Sequence, residues 1–158
     1  MRIPLIVTVL ATAAMALAQQ PEKTFTSAAD VEAMIAKAKK ERKPDQANFL
    51  QNLLRLPPYA VNLEYRVQGI DTPATVHEKE AELIFVVDGA CTFVTGGKLA
   101  NEKRTNPTNL SGTGIDGGSP RRIAKGDYIL VPENTPHAFT KTEGSLAIVS
   151  VHVPRSAP

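Results

Sequence analysis

Three side chains in two short stretches of this sequence have the chemistry of a metal-binding site. Residues 69–89 read GIDTPATVHEKEAELIFVVDG and contain His77 and Glu82, while residues 126–137 read GDYILVPENTPH and contain His137. Two imidazoles and one carboxylate on separate strands can bind one divalent metal ion and leave coordination positions open. These three residues are therefore the candidate metal ligands.

The spacing in the first stretch resembles the first sequence motif of the cupin family, G(X)5HXH(X)3-4E(X)6G. The matching positions are Gly69, Thr75, His77, Glu82 and Gly89, and every interval between them fits the motif. Thr75 stands where the family has its first histidine. The second ligand of the motif and its carboxylate are both present.

The second stretch resembles the other cupin motif, G(X)5PXG(X)2H(X)3N. The matching positions are Gly126, Pro132, Asn134, His137 and Lys141. Asn134 replaces the glycine of the motif, and Lys141 replaces its asparagine. The two prolines of this stretch stiffen a turn, which we expect to return the chain toward the first motif.

The resemblance covers residues 58–153 and implies an all-β fold, a cupin-type jelly-roll β-barrel, for a domain at 58–158. It implies one divalent metal ion inside the barrel, bound by His77, Glu82 and His137. Such a ligand set suits iron(II), and manganese or zinc also fits. Cupins include dioxygenases, isomerases and lyases, so the resemblance implies a metal-dependent enzyme that acts on a small molecule. A non-catalytic module that binds a small ligand and a metal-free structural barrel are the alternatives.

Two further residues have alternative roles. Thr75 shares a strand face with His77. It either leaves a coordination position open for water or substrate, or packs and hydrogen-bonds to a neighbouring strand. His152, in the last apolar run, either replaces the missing ligand from across the barrel or has a structural role. Glu82 is costly to bury without a partner, which is either the metal or a cation such as Lys79 or Arg66.

The pattern of apolar residues predicts many short strands after residue 58. In the first of them, 61–67, alternation predicts an apolar face toward the core and a polar face toward solvent. Residues 98–125 form a long polar interruption, which either edges the opening of the barrel or is a mobile excursion. Cys91, the single cysteine, lies in an apolar run and is interpreted as a small buried hydrophobic residue.

The region before the strands, 19–57, is predicted to be a helical extension. Ser27 and Asp30 have the spacing of a capping box at the start of a helix that ends before Pro44. A second short helix is predicted over residues 46–56. We interpret the extension as a flap over the barrel or a dimer contact, and expect a homodimer because the apolar face of the helix needs a surface to cover it.

Residues 1–18 are predicted to be a secretory signal peptide. Arg2 precedes a run of apolar residues, and Ala16-Leu17-Ala18 has the form of a cleavage site. The expected location is periplasmic or secreted, without a stable membrane anchor after cleavage. A formal net charge of +2 and the absence of tryptophan and of a strongly basic patch argue against nucleic acid as a partner.

Overall fold

The structure is a computed structural model, and it describes residues 21–155. The predicted signal peptide at 1–18 lies outside the described residues, so its cleavage stays a prediction. Within 21–155, no helix has the length and apolar character needed to cross a membrane.

One helix, α1, spans Ala28–Glu41 and confirms the prediction for this region. The Ser27 hydroxyl accepts a hydrogen bond from the backbone N–H of Asp30, and the Asp30 carboxylate accepts one from the backbone N–H of Ser27. This reciprocal capping satisfies two backbone donors that would otherwise lack partners. The apolar face of α1, at Ile35 and Ala38, packs against Tyr65 and Ala147. The chain itself therefore covers the helix face from which we inferred a dimer contact.

The prediction of a second helix at 46–56 is wrong. The chain forms strand β1 at Phe49–Leu56, antiparallel to β2 at Tyr59–Val67. Leucine and glutamine favour a helix, but here the tertiary pairing decides, because β2 supplies a ladder of hydrogen bonds along the whole segment. Within the described part of the extension, 21–57, the helix is confined to α1.

The remaining strands are short except for β4 and β11. Residues 98–125, predicted to be a polar interruption, contain five complete strands, β5 to β9, rather than a mobile excursion. The strands are β3 Ala74–His77, β4 Glu80–Thr95, β5 Lys98–Ala100, β6 Lys103–Asn106, β7 Asn109–Gly112, β8 Gly114–Asp116, β9 Ser119–Ala124, β10 Tyr128–Val131 and β11 His137–Pro154.

Strands β4 and β11 run side by side through the whole fold. One half of the β4–β11 pair includes residues 145–153 of β11. This half belongs to a first layer, in which the strand order is β1-β2-β11-β4-β10. Their other half, with residues 137–140 of β11, belongs to a second layer with the order β9-β4-β11-β3-β7-β6. Irregularities in register between residues 140 and 146 separate the two halves. Such irregularities bend strands and increase their twist.

The two layers pack face to face on one apolar core. Its members come from both layers: Ile84, Val86, Cys91, Phe93, Ile123, Val131, Phe139, Leu146 and Ile148. The strand pairings among residues 21–155 do not close into a ring. The closed barrel that the resemblance implies is therefore not formed by these pairings, and that part of the prediction is wrong. At the edge formed by β9 and β10, Ile123 and Val131 belong to the shared core, and no ladder of hydrogen bonds joins these two strands in the described part of the chain. Cys91 is fully buried in this core, as predicted.

Candidate metal centre

The predicted ligands lie at one end of the space between the layers. His77 ends β3, Glu82 lies near the start of β4, and His137 begins β11. His152 lies near the other end of β11, directly opposite Glu82 in the β4–β11 pairing. Residues opposite each other on neighbouring strands have Cβ atoms about 5 Å apart. The bend of β11 therefore allows one strand to contribute two histidines to the same site.

All three histidines surround the Glu82 carboxylate through their Nε2 atoms. The distance to Glu82 Oε2 is 3.0 Å from His137 and 3.6 Å from His77, and His152 lies 3.9 Å from Oε1. Ligand atoms of His77, Glu82 and His152 lie within 4.8 Å of one another, which makes them a possible metal-binding group. The structure brings His137 beside the same carboxylate. It also places His152, for which the sequence left two roles open, among the candidate ligands.

Each imidazole is oriented by an acceptor at its other nitrogen. The Nδ1 atom lies 3.0 Å from Asn109 Oδ1 in His77, 3.1 Å from the Thr135 carbonyl oxygen in His137 and 3.1 Å from Glu80 Oε2 in His152. An acceptor at Nδ1 fixes the proton there and leaves the Nε2 lone pair free. The three free lone pairs all face Glu82.

This arrangement leaves a buried oxygen without a partner. His137 Nε2 is close to Glu82 Oε2, but with its proton on Nδ1 the ring has none to donate there, and Oε2 has no hydrogen-bond partner among the described residues. Burial raises the pKa of Glu82, whereas a hydrogen bond from His137 protonated at Nε2 and the positive charges of protonated histidines lower this pKa to about 2. A carboxylate that faces three imidazole lone pairs needs a cation between them, and a divalent metal ion fits that need.

Burial also acts on His77. It lowers the pKa of this imidazole below its usual value, and the neighbouring His137 and His152 act in the same direction against the opposing effects of Asn109 and Glu82. The neutral form is the one that binds a metal ion. At neutral pH His77 is therefore ready to act as a ligand.

Other site residues of the sequence analysis have definite positions. Thr75 faces the cavity described below and pairs with His137 across β3 and β11. Its hydroxyl makes only a long, 3.5 Å hydrogen bond to the Pro73 carbonyl oxygen. Among the described residues, neither Lys79 nor Arg66 forms an ion pair with Glu82. The expected turn toward the first motif is present, because the Asn134 N–H donates to the His77 carbonyl oxygen at 2.9 Å.

Asn134 has the backbone that its motif position requires. Its φ is +59°, in the left-handed region that glycine adopts readily and asparagine tolerates. The replacement of the motif glycine by asparagine therefore preserves the turn that positions His137.

A cavity of about 450 Å³ opens next to the candidate ligands. Besides those ligands, its wall includes Glu64 and Arg66 of β2 and Asn109 of β7. The alternation in β2 predicted that its polar residues face solvent, and this is wrong. Asn62, Glu64 and Arg66 are buried, because Tyr65 and Val67 on the other face of the strand belong to the cluster with α1 instead.

Sequence reasoning missed Asn109, Glu64 and Arg66 as site residues. Asn109 lies in the polar stretch that we interpreted as an edge or an excursion. One signal in the sequence could have revealed Glu64 and Arg66. One face of β2 is apolar enough to pack against another element, and an amphipathic helix precedes β2 in the chain. A helix that covers the apolar face of a strand turns the polar face inward.

The structure is similar to solved structures of the double-stranded β-helix fold. A conserved protein from Klebsiella pneumoniae with a double-stranded β-helix domain has a TM-score of 0.59 and 15% identity, over 87% of this chain and 95% of that one. A Bacillus halodurans protein has a TM-score of 0.56 and 17% identity, over 86% and 85%. The iron(II) form of HppE has a TM-score of 0.52 and 17% identity, over 68% of this chain and 52% of that one.

At these identities the likeness shows the fold alone. No protein-family model and no curated protein matches the sequence. The fold is the double-stranded β-helix, which confirms the mainly β architecture that the resemblance to cupins implies.

Proposed function

We propose that the chain is a metal-dependent enzyme that acts on a small molecule in the cavity between the two layers. One divalent metal ion would be bound by His77, Glu82, His137 and His152. The observation that carries the proposal is the buried Glu82 carboxylate: three imidazole Nε2 atoms lie within 3.9 Å of its oxygens, and its Oε2 has no hydrogen-bond partner among the described residues. The iron(II) in the similarly folded HppE supports the choice of a redox-active metal, with manganese and zinc as the other candidates.

The residues of the chain divide the work of the site. A bound metal ion would supply Lewis-acid or redox chemistry to a substrate group beside it. Asn109, the Thr135 carbonyl oxygen and Glu80 hold the three imidazoles in one tautomer and one orientation. Thr75 lines the cavity without adding a strong ligand, so substrate has access to the centre from its side.

The first test is to measure bound metal. Protein purified without added metal is analysed by elemental mass spectrometry, then reconstituted with iron(II), manganese or zinc. Glu82→Gln should abolish metal binding, because the neutral amide is a much weaker ligand for a divalent ion than the carboxylate. Glu143→Gln, which removes an exposed carboxylate, is the matched control and should keep the metal.

Two outcomes count against the proposal. Full metal content in the Glu82→Gln variant would show that the ligands are elsewhere. A tightly bound small molecule, with no turnover in the metal-loaded protein against small phenols, keto acids and sugars, would favour a non-catalytic binding module.

The cellular setting completes the proposal. We infer that the chain is exported and acts as a homodimer in the periplasm or outside the cell. The apolar run and cleavage sequence at 1–18 support export, and an exposed apolar face of the first layer, described in the Discussion, supports the dimer.

A further inference from the structure

The cavity contains a second polar group besides the candidate metal centre. Arg66 of β2 points into it, with its side chain 92% buried, since 8% of the surface remains exposed. Its Nη2 atom donates to Glu64 Oε2 at 2.7 Å, and the same oxygen accepts a hydrogen bond from Asn48 Nδ2 at 2.6 Å. One oxygen of Glu64 thus accepts from two donors.

Arg66 keeps donors that nothing in the described chain satisfies. Its Nε and Nη1 atoms are buried and have no hydrogen-bond partner. Asn48 Oδ1 and Thr72 Oγ1, on the wall of the same cavity, are also buried and without partners. A buried donor without a partner costs about 1–3 kcal/mol, and more when the group is charged. The structure bears this cost at several atoms of one cavity, which points to a ligand that satisfies them.

The arginine is held in a fixed orientation. Its guanidinium carbon lies 4.1 Å from the centre of the Phe139 ring, a cation–π contact that fixes the guanidinium against this wall. Phe139 follows His137 by two residues on β11 and shares its face, so the two side chains start about 7 Å apart. A small molecule can therefore reach Arg66 and the metal centre together.

We propose that Arg66 binds the anionic end of the substrate, a carboxylate or another oxyanion, while the opposite end of the molecule lies at the metal centre. The substrate class is then a small organic acid. This inference rests on the proposed function for the role of the metal-bound end, whereas the anion site itself requires no metal. Arginine is suited to this role because its planar fork of donors matches the oxygens of a carboxylate.

The charges of the cavity agree with an anionic ligand. Glu64 balances Arg66, so the ionised Glu82 leaves the metal-free cavity with one negative charge, and a divalent ion beside it would change this to one positive charge. Anions should therefore bind the metal-loaded protein more tightly than the metal-free protein, in which the free arginine donors alone attract them. A neutral ligand would satisfy the free arginine donors less well, because hydrogen bonds between two charged groups are the stronger ones. The cavity therefore favours an acid over its amide.

The test compares succinate and methylphosphonate with neutral succinamide, by calorimetric titration of metal-free and manganese-loaded protein. Succinate or methylphosphonate should bind the metal-free protein, and succinamide should bind at least about tenfold more weakly. The double variant Arg66→Met with Glu64→Gln removes both charges, so that Glu64 is not left unpaired, and it should lose at least about tenfold in anion affinity. Arg66→Lys keeps the charge without the fork and should lose less.

The matched control is the double variant Arg122→Met with Glu143→Gln, which removes an exposed ion pair outside the cavity. It should bind the anions as the unmodified protein does. Should the Arg66 double variant fail to fold, as judged by circular dichroism, Arg66→Lys provides the comparison.

Each result has a definite meaning. Anion affinity that is equal in the unmodified protein and in the Arg66 variants would overturn the inference, and so would the absence of binding by both anions. Metal binding without anion binding would overturn this inference and leave the proposed metal centre in place. Anion binding without metal binding would support this inference and overturn the proposed metal centre.

Discussion

At the level of single residues, the three histidines use their two nitrogens for different purposes. Nδ1 of each ring faces a protein acceptor, and Nε2 of each ring faces Glu82. The orienting acceptors are a side-chain amide, a backbone carbonyl and a second carboxylate. The ligand geometry therefore depends on residues that would never touch the metal.

Asn109 gives a direct test of this dependence. Asn109→Leu removes the acceptor at His77 Nδ1, and we expect metal affinity to fall by about tenfold or more, in the range seen for such supporting residues. Asn109→Asp keeps an acceptor oxygen at the same place and should preserve metal affinity. Competition with a chelator, measured for both variants, checks the expectation. Equal affinities in the two variants would show that the hydrogen bond has no influence on the centre.

The sequence predicted part of the candidate site and could not predict the rest. His77, Glu82 and His137 follow from the motif spacings, and Cys91 from its apolar neighbours. His152 could not be placed, because its meeting with Glu82 depends on the register of β11 against β4, which no local pattern determines. Arg66 could not be placed either, because its face of β2 is buried only once α1 has covered the opposite face.

At the level of elements, β4 and β11 must pass very close to each other where they bend. Gly89 of β4 has a φ of +83°, and a Cβ atom at this position would lie 1.9 Å from the Ser145 carbonyl oxygen of β11. Only glycine fits both the backbone conformation and the space. The motif glycine at this position therefore has a steric reason.

Replacement of this glycine should weaken the whole fold. Gly89→Ala should lower the free energy of unfolding by about 2–4 kcal/mol, because the left-handed backbone and the collision with β11 both add to the cost. Gly69 has the same φ of +83° but open space around its Cβ position, so Gly69→Ala should cost only about 1 kcal/mol. Chemical denaturation of both variants gives the comparison. A cost for Gly89→Ala no larger than that for Gly69→Ala would show that β11 moves aside easily.

The elements also differ in how far local sequence determines them. Helix α1 was predictable because its capping residues and apolar face are local signals. Strand β1 was not, because its residues favour a helix and only the pairing with β2 makes them a strand. The strands within 98–125 were hidden by their polar composition, since β6 is exposed along its whole length and has no apolar face.

At the level of the whole molecule, the first layer has an outer face that α1 covers only in part. Strand β10 is an edge strand that pairs with β4 alone among the described strands. Its Tyr128 and Leu130 are 70% and 66% exposed, and Leu83 and Val153 add exposed apolar surface on the neighbouring strands. An edge strand with apolar side chains favours association with a second copy.

We therefore expect a homodimer that uses this face rather than the face of α1. Light scattering at micromolar concentration should give the mass of two chains. Leu130→Lys should shift the protein to a monomer, since it places a charge in the expected contact. Phe25→Lys changes another exposed apolar residue, 76% exposed and outside β10, and should leave the dimer intact. A monomeric unmodified protein would refute the expectation.

The mainly β fold of the molecule was predictable from the sequence. The failure of its strand pairings to close into a ring was not. Many short strands and two motifs at matching intervals indicate a layered β structure. Whether the outer edges join into a ring depends on the bend of β4 and β11, and the register irregularities at 140–146 that accompany this bend have no signal in the apolar pattern.

The order of the proposed ligands along the chain has a consequence for biosynthesis. His77 and Glu82 leave the ribosome well before His137 and His152, which lie on β11, the last of the described strands. β11 must also insert between β2 and β4 before its histidines reach the carboxylate. A nascent chain therefore has no complete set of the proposed ligands, and a metal ion bound by them would be selected in whichever compartment the chain finishes folding.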